Sequence, residues 1–274
     1  MRLETVTAAF TWATDPALLH LGPLQVRWYG VLFALAFYAG YRLFRFFYRS
    51  EGRDPHELDP LLLYVMSGAV VGARLAHCLF YDPAYYLGHP LAILRVWEGG
   101  LASHGAAAGV CVALHAFVRR HPGSGYLWLL DRAAVAAALG GPFIRTGNFF
   151  NSEILGTPAA VPWAVVFARQ DAVPRHPAQL YEALAYLVLF AVLLQLYRRP
   201  TVRQRPGLLL GLFLTAVFTF RFLVEFLKER QEAFGASLPL DMGQILSIPL
   251  VLAGTALLVR ALRKRRQAGG REAP

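Results

Sequence analysis

The stretch GLLLGLFLTAVFTFRFLVEFL, residues 207–227, decides the fold class of this chain. A helix needs roughly 20 mostly apolar residues to cross a bilayer, and this stretch is long enough. Only Arg221 and Glu225 interrupt its apolar character. Six further stretches have comparable length and composition, at residues 28–48, 60–82, 100–118, 126–145, 177–197 and 243–260. The sequence therefore predicts an all-α, polytopic integral membrane protein with about seven transmembrane helices.

The composition of the whole chain supports this class. Of its 274 residues, 56% are hydrophobic and 16% are charged, whereas a soluble domain carries about a quarter charged residues. The net charge of +10 comes from short basic clusters between apolar stretches. Nucleic-acid-binding surfaces instead gather basic residues on one face. We expect the lipid bilayer as a partner, no nucleic acid, and one integral membrane domain over residues 1–274.

The distribution of arginine predicts the orientation in the membrane. Basic clusters occur at 49–53, 119–120, 198–205 and 260–271. These clusters lie in every second segment between the predicted spans, so they all lie on the same side of the membrane. Because cytoplasmic segments carry the excess of Lys and Arg, these segments are predicted to be cytoplasmic. The N-terminus is then periplasmic and the C-terminus cytoplasmic. Residues 146–176 are predicted to form a small periplasmic head, and residues 264–274 a basic cytoplasmic tail.

Several polar residues lie inside or beside the predicted spans, all toward the outer side. Arg74 is about eight residues from the outer end of its span, roughly 12 Å deep at 1.5 Å per residue, and Arg221 is roughly 9 Å deep. A central Arg costs roughly 2.5–3.5 kcal/mol on insertion scales, so such residues point to function. Glu225 follows Arg221 at i+4, where an ion pair can form. His104 opens the third span on the same side.

Each of these residues also has a purely structural interpretation. The long stem of Arg74 would let its guanidinium reach the interface. Arg221 and Glu225 would form a pair that locks two helices, since buried pairs are not reliably functional. His104 in GGLASHGAAAG, residues 99–109, would be an ordinary interfacial histidine. Spacing alone does not choose between these interpretations and a functional site.

The segment RTGNFFNSEILG, residues 145–156, points more directly to a ligand. Arg145, Asn148, Asn151 and Glu153 leave the outer end of a predicted span together. A guanidinium binds phosphate bidentately and stays charged at any accessible pH. The segment therefore indicates binding of a phospholipid headgroup, with a helix-capping polar loop as the alternative.

This segment resembles the signature of the bacterial prolipoprotein diacylglyceryl transferases. Other motifs of that family occur in the same order, from about Gly22 to Arg263. They are RWYG at 27–30, GARLAHCLFY at 72–81, LASHG at 101–105, RHPAQLYE at 175–182, FRFLVEF at 220–226 and MGQILSIP at 242–249. Because several separate blocks agree, the resemblance is specific.

The resemblance implies a bacterial inner-membrane enzyme of lipoprotein maturation. Such an enzyme transfers the sn-1,2-diacylglyceryl group of phosphatidylglycerol to the lipobox cysteine thiol of a prolipoprotein signal peptide. The products are a thioether-linked lipid and glycerol 1-phosphate. The implied chemistry uses no cofactor and no metal. Two alternatives stay open: a divergent non-catalytic relative, and a lipid transporter that binds phospholipid.

By motif position, the resemblance implies three catalytic residues, His104, Arg145 and Arg221. It implies substrate contacts at Tyr29, Asn148, Glu153 and Glu225, to which the reasoning above adds Asn151 and, in a supporting role, Arg74. Fixed cations aimed at the departing phosphate would lower the barrier, and His104 would accept the proton of the incoming thiol. We further expect Glu225 to orient Arg221, and Asn148 with Glu153 to bind headgroup hydroxyls.

The sequence departs from the family pattern at several positions, which include Leu155, Ala76 and Val217. Ser152 replaces the glycine that precedes the signature glutamate, His77 replaces a tyrosine of the second span, and Lys228 replaces an arginine. A lysine presents a point charge where an arginine presents a planar fork. These departures bear on substrate range and catalytic strength more than on reaction type.

Overall fold

The computed structural model describes residues 10–22, 24–96, 99–123, 125–230 and 240–269, without the side chains of Leu24 and of residues 264–269. The helices are α1 (Trp28–Ser50), α2 (Leu58–Phe80), α3 (Pro83–Gly88), α4 (Ser103–Arg120), α5 (Tyr126–Phe150), α6 (Ala178–Tyr197), α7 (Pro200–Arg203), α8 (Leu208–Val224) and α9 (Met242–Gly269). Within these ranges, short 3-10 turns occur at Pro55–Glu57, Pro90–Leu94 and Glu225–Leu227.

Every predicted span corresponds to one of these helices. In the described ranges, six helices are long and apolar enough to cross a membrane. The remaining predicted span, 100–118, forms α4, whose 18 residues include two histidines and two arginines. The chain is therefore an all-α, multi-pass membrane protein, as predicted. Helix α9 extends into the predicted tail as far as Gly269, and residues 270–274 lie outside the described residues.

Short strands, which the apolar pattern does not predict, accompany the helices. Strand β1 (Phe10–Trp12) pairs in parallel with β4 (Val165–Phe167), which pairs antiparallel with β5 (Pro174–Arg175). Strands β2 (Ala17–Leu21) and β3 (Leu24–Arg27) form a separate antiparallel hairpin. Phe149 at the end of α5 packs with Val165 and Phe167 in a small core. That core joins the segment after α5 to the end of the helix.

The chain divides into two compact units, one formed by residues 1–42 and 131–274 and the other by residues 43–130. The boundaries fall inside α1 and α5. We call them the large unit and the small unit. The large unit holds Arg145 and Arg221, whereas the small unit holds Arg74 and His104.

In the small unit, α2 and α4 pack through glycines. A Cβ placed on Gly68 would lie 2.6 Å from the Cβ of Ala113 and 2.6 Å from the carbonyl oxygen of Gly109. Gly72 and Gly105 approach each other at least as closely. Small residues allow membrane helices to approach backbone to backbone, where dispersion replaces the hydrophobic effect as the source of stability. The glycines at i and i+4 on both helices therefore determine this pair.

In the large unit, Asp131 is a charged residue that weakens the apolar pattern of α5, and its contacts explain why it is there. Its side chain is buried, and its two carboxylate oxygens accept hydrogen bonds from the backbone N–H groups of Gly207 and Leu210, each at 2.8 Å. The first N–H groups of a helix have no partner within the helix, and a carboxylate there is favoured by the helix dipole. Asp131 on α5 thus caps the start of α8.

Candidate active site

The signature segment turns back on itself where α5 ends. The backbone N–H of Glu153 donates to the carbonyl of Asn148 at 2.9 Å. Ser152 and Ile154, on either side of Glu153, have φ angles of 54° and 56°. This left-handed region is disfavoured for residues other than glycine. It explains why the family pattern has a glycine where this chain has Ser152.

The turn gathers the predicted headgroup residues around one carboxylate. Asn148 Nδ2 donates to Glu153 Oε2 at 3.1 Å, and Asn151 Nδ2 donates to Glu153 Oε1 at 3.1 Å. The Oδ1 atoms of both asparagines are buried without a hydrogen-bond partner in the described part of the chain. Glu153 therefore orients two carboxamides whose acceptor oxygens remain available.

Arg145 belongs to a chain of four alternating charges. Its Nη2 lies 3.2 Å from Glu182 Oε1, Glu182 Oε2 lies 3.1 Å from Lys228 Nζ, and Lys228 Nζ lies 3.3 Å from Glu225 Oε2. The exposed fractions of these side chains are 12% for Arg145, 2% for Glu182, 4% for Lys228 and 16% for Glu225. Each buried charge thus has an opposite charge beside it, as burial requires.

Arg221 differs from the expected arrangement. Among the described residues it forms no ion pair with Glu225, which binds Lys228 instead. The backbone spacing is retained, since the Glu225 N–H donates to the carbonyl of Arg221, but the Glu225 carboxylate lies beside Lys228, three residues later. Tyr186 on α6 interacts electrostatically with both Arg221 and Arg145. Arg221 is half-buried and, within the described part of the chain, has no carboxylate within ion-pair distance.

Tyr29, near the start of α1, is adjacent to the same cluster. It interacts electrostatically with Glu153 and Arg145. A Cβ on Gly147 would lie 2.8 Å from Tyr29 Cδ2, so a side chain at this position would displace the ring. The glycine after Arg145 in the signature therefore makes room for Tyr29.

Backbone hydrogen bonds hold the segments after α5 and α8 together. Thr157 N–H donates to the carbonyl of Leu227 at 2.8 Å, and Glu229 N–H donates to the carbonyl of Leu155 at 3.0 Å. Gly156 and Lys228 form an isolated antiparallel bridge between these two bonds. These backbone hydrogen bonds thus hold Lys228 and the signature segment in fixed positions relative to each other.

Outside the membrane spans, Arg175 reinforces this connection. It forms ion pairs with Glu229 and with Asp171, the latter at 2.5 Å, and it donates to the carbonyl of Gly156 at 3.3 Å. The hydrogen bond from Arg175 and a second one from the Val173 N–H hold the pKa of Asp171 below its usual value. The same carboxylate raises the pKa of Arg175.

In the small unit, Arg74 is buried and surrounded by carbonyl groups. Its guanidinium donates to the carbonyls of Ile93 at 2.9 Å, Ala92 at 2.6 Å, Gly99 at 2.6 Å and Gly100 at 3.3 Å. It also lies 5.1 Å from the centre of the Tyr86 ring. These bonds use four of the five N–H groups of an arginine. Arg74 therefore organises the loop that precedes α4.

His104 lies in the first turn of α4 and is exposed. Its ring centre is 6.0 Å from that of Phe80 and 6.1 Å from that of Tyr81. His77, which replaces the family's tyrosine in the second span, also stacks on Tyr81, with ring centres 5.3 Å apart. His104 is thus an accessible imidazole among aromatic rings.

The structure adds residues that were not assigned to the site from the sequence. Glu182, Lys228 and Tyr186 join the predicted residues of the large unit through the contacts above. Glu182 and Lys228 carry charge beside predicted spans, which was a usable signal. Tyr186 stands in the long apolar run of α6, four residues after Glu182, and nothing in its local sequence distinguishes it.

Comparison with known proteins identifies the family. Residues 16–260 match the family model described as prolipoprotein diacylglyceryl transferase. The chain belongs to this family. The match spans the residues of both units described above, from the β2–β3 hairpin to α9.

Individual relatives of this transferase family are similar over nearly their whole length. A phosphatidylglycerol–prolipoprotein diacylglyceryl transferase of Tolumonas auensis is 52% identical over 254 residues, which cover 93% of this chain and 98% of the relative. Proteins of the same name from Chloroherpeton thalassium and Porphyromonas gingivalis are 46% and 43% identical, and cover 92% and 94% of this chain. The chain is accordingly a transferase of this family.

Proposed function

We propose that this protein transfers the sn-1,2-diacylglyceryl group of phosphatidylglycerol to the lipobox cysteine of prolipoproteins. The observation that carries the proposal is the cluster in the large unit. There, Arg145 hydrogen-bonds to Tyr186, Arg221 lies near the same tyrosine, and Glu153 orients the carboxamides of Asn148 and Asn151. This arrangement offers cations to a phosphate and acceptors to headgroup hydroxyls. Membership in the family supports the same reaction.

The proposed reaction is a substitution at carbon. The cysteine thiolate attacks the carbon of the diacylglyceryl group that bears the phosphate, a carbon–sulfur bond forms, and the carbon–oxygen bond breaks. Glycerol 1-phosphate leaves with the bonding electrons. Because negative charge grows on the phosphate as that bond breaks, Arg145 and Arg221 stabilise the transition state more than the bound lipid. Arg221 is suited to this role because no carboxylate in the described ranges competes for it.

His104 is proposed to accept the thiol proton. The thiolate is the nucleophilic form of cysteine, and histidine is the side chain that most often acts as a general base. The exposed position of His104 in the first turn of α4 leaves the ring accessible. Tyr29 and Glu225 are proposed as substrate contacts, and Arg74 as a supporting residue that holds the loop before His104.

We also propose a place and an orientation. The protein is placed in the bacterial inner membrane with its N-terminus in the periplasm and its C-terminus in the cytoplasm, where the arginine clusters lie. In this orientation Arg145, Arg221 and His104 lie toward the periplasmic side. Reporter fusions at the two termini test the orientation, and a cytoplasmic N-terminus would contradict it.

The decisive experiment measures transfer in vesicles. Purified protein, phosphatidylglycerol with a labelled acyl chain, and a peptide with a lipobox cysteine should give a labelled thioether product. Arg145→Ala and His104→Ala should each lower the rate by about 100-fold or more. Arg260→Ala, which removes an exposed arginine of α9 in the large unit, should leave the rate unchanged.

Two results would overturn the assignment. Near-normal rates for both Arg145→Ala and His104→Ala would remove these residues from the mechanism. If the unaltered protein makes no product and fails to restore growth to a transferase-depleted bacterium, it is a lipid-binding relative or a transporter instead.

A further inference from the structure

The first two turns of α6 carry two buried polar residues that reach different parts of the site. Gln179 and Glu182 are one helical turn apart and have exposed fractions of 0% and 2%. Gln179 Nε2 donates to the backbone carbonyl of Glu153 at 2.5 Å, and Glu182 Oε1 lies 3.2 Å from Arg145 Nη2. One residue therefore contacts the signature turn, and the other contacts the arginine that precedes it.

The turn around Glu153 depends on such external contacts. Both neighbours of Glu153 adopt left-handed backbone conformations without being glycine, and such conformations persist only where the surroundings enforce them. Two glutamines hold the carbonyls of this turn: Gln179 holds that of Glu153, and Gln170 Nε2 donates to that of Ser152 at 3.2 Å. The position of the Glu153 side chain is thus set from outside the turn.

The position of the Glu153 carboxylate also determines which side-chain atoms of Asn148 and Asn151 are available to a ligand. Its carboxylate accepts the Nδ2 groups of Asn148 and Asn151, so their Oδ1 atoms become the free acceptors. Those buried oxygens have no hydrogen-bond partner within the described ranges. Hydroxyl groups supply the missing donors, and a glycerol headgroup carries two of them.

We propose that Gln179 is a positioning residue that sets selectivity for a hydroxyl-bearing headgroup by fixing Glu153 and, through it, Asn148 and Asn151. This proposal rests on the proposed function, since it concerns the lipid substrate of that reaction. Among the described residues Gln179 forms no hydrogen bond with Arg145 or Arg221, so it should affect recognition of the headgroup more than stabilisation of the leaving phosphate.

The test compares two lipids that differ only in the headgroup hydroxyls. Phosphatidylpropanol carries the same phosphate charge as phosphatidylglycerol and no hydroxyl. For the unaltered protein, kcat/KM should favour phosphatidylglycerol. In Gln179→Leu this preference should fall by about tenfold through a higher KM for phosphatidylglycerol, with kcat for either lipid changed less than about threefold. Gln179→Glu, which has nearly the same shape but cannot donate when ionised, should behave likewise.

The matched control is Gln195→Leu, the same substitution on an exposed glutamine near the other end of α6. It should keep the full preference for phosphatidylglycerol. Thermal unfolding in detergent shows which variants are folded. If Gln179→Leu is not folded, Gln170→Leu tests the same turn from the head segment, and its preference should fall in the same direction.

The outcomes separate the inference from the function on which it rests. If the unaltered protein prefers phosphatidylglycerol and folded Gln179 and Gln170 variants keep that preference, the positioning role is overturned and the transferase function stands. An equal loss of kcat for both lipids in the Gln179 variants would also overturn it, because that pattern indicates a general structural defect. If the unaltered protein transfers from neither lipid, the proposed function itself fails.

Discussion

Arg74 in the small unit and Arg221 in the large unit are both arginines within predicted spans, yet their surroundings differ. Arg74 is buried and donates to four backbone carbonyls. Arg221 is half-buried and, within the described residues, is not paired with a carboxylate. A guanidinium whose donors are occupied by the protein stabilises a loop, whereas one that keeps its donors can bind a substrate anion. Depth in the membrane alone does not distinguish these roles.

The comparison predicts the largest effect at Arg221. Arg221→Gln should lower kcat for diacylglyceryl transfer by about 10²–10³-fold, the usual loss when one electrostatic stabiliser of a transition state is removed. The unfolding temperature should change little, because no ion pair is broken. Steady-state kinetics in vesicles measures the first effect, and thermal unfolding in detergent the second. A variant that is unstable but catalytically normal would place Arg221 in the same class as Arg74.

At Arg74 we expect an effect of intermediate size, which lowers stability more than it lowers the catalytic rate. Arg74→Met leaves carbonyls of the loop before α4 without donors, and should lower the free energy of unfolding by about 3 kcal/mol. The kcat of the molecules that remain folded should fall less than about tenfold. Chemical denaturation in mixed micelles measures the stability. Arg119→Met, at the exposed C-terminal end of α4 in the same unit, is the control and should be neutral.

The smallest predicted effect is a gain in stability at the signature turn. Ser152 has a φ of 54° and a buried Oγ without a hydrogen-bond partner in the described structure. Ser152→Gly removes the left-handed penalty of roughly 1–2 kcal/mol, part of which is offset by the greater freedom of glycine in the unfolded chain. A net gain of about 1 kcal/mol in unfolding free energy is expected.

The control for this substitution has the opposite sign. Ser247→Gly, in the interior of α9, should reduce stability by roughly 1 kcal/mol because glycine is unfavourable in a helix. It also removes the hydrogen bond from Ser247 Oγ to the carbonyl of Gly243. If Ser152→Gly destabilises the protein as Ser247→Gly does, the turn is not strained and external contacts such as that of Gln179 lose part of their purpose.

The fold could be predicted from the sequence because membrane helices are a local property of the chain. A continuous apolar run of sufficient length specifies a span without reference to the remainder of the molecule. The predicted stretch 126–145 shows the limit of this reasoning. Asp131 weakens its apolar pattern, and the charge is explained by hydrogen bonds to Gly207 and Leu210, which lie far along the sequence at the start of α8.

The site was predictable to the extent that its residues lie in one segment or one motif. Asn148, Asn151 and Glu153 are close in sequence and do contact each other. The pair of Arg221 with Glu225 was expected from helical spacing and is not formed among the described residues, because the Glu225 carboxylate pairs with Lys228. The charge chain through Glu182 and Lys228 connects segments 46 residues apart, a distance over which local patterns carry no information.

The cap that Asp131 places on α8 has a geometric consequence. Near the start of α5, Asp131 bonds to Gly207 at the start of α8, and beyond the ends of both helices Gly156 forms a bridge with Lys228. The two helices therefore run in the same direction and are connected near both ends. Arg145 is 14 residues after Asp131 on α5, and Arg221 is likewise 14 residues after Gly207 at the start of α8. At 1.5 Å per residue, both arginines stand about 21 Å above the level of Asp131 and Gly207. The two arginines therefore start from similar heights along parallel helices, which is the placement that the proposed binding of one phosphate by both guanidinium groups requires.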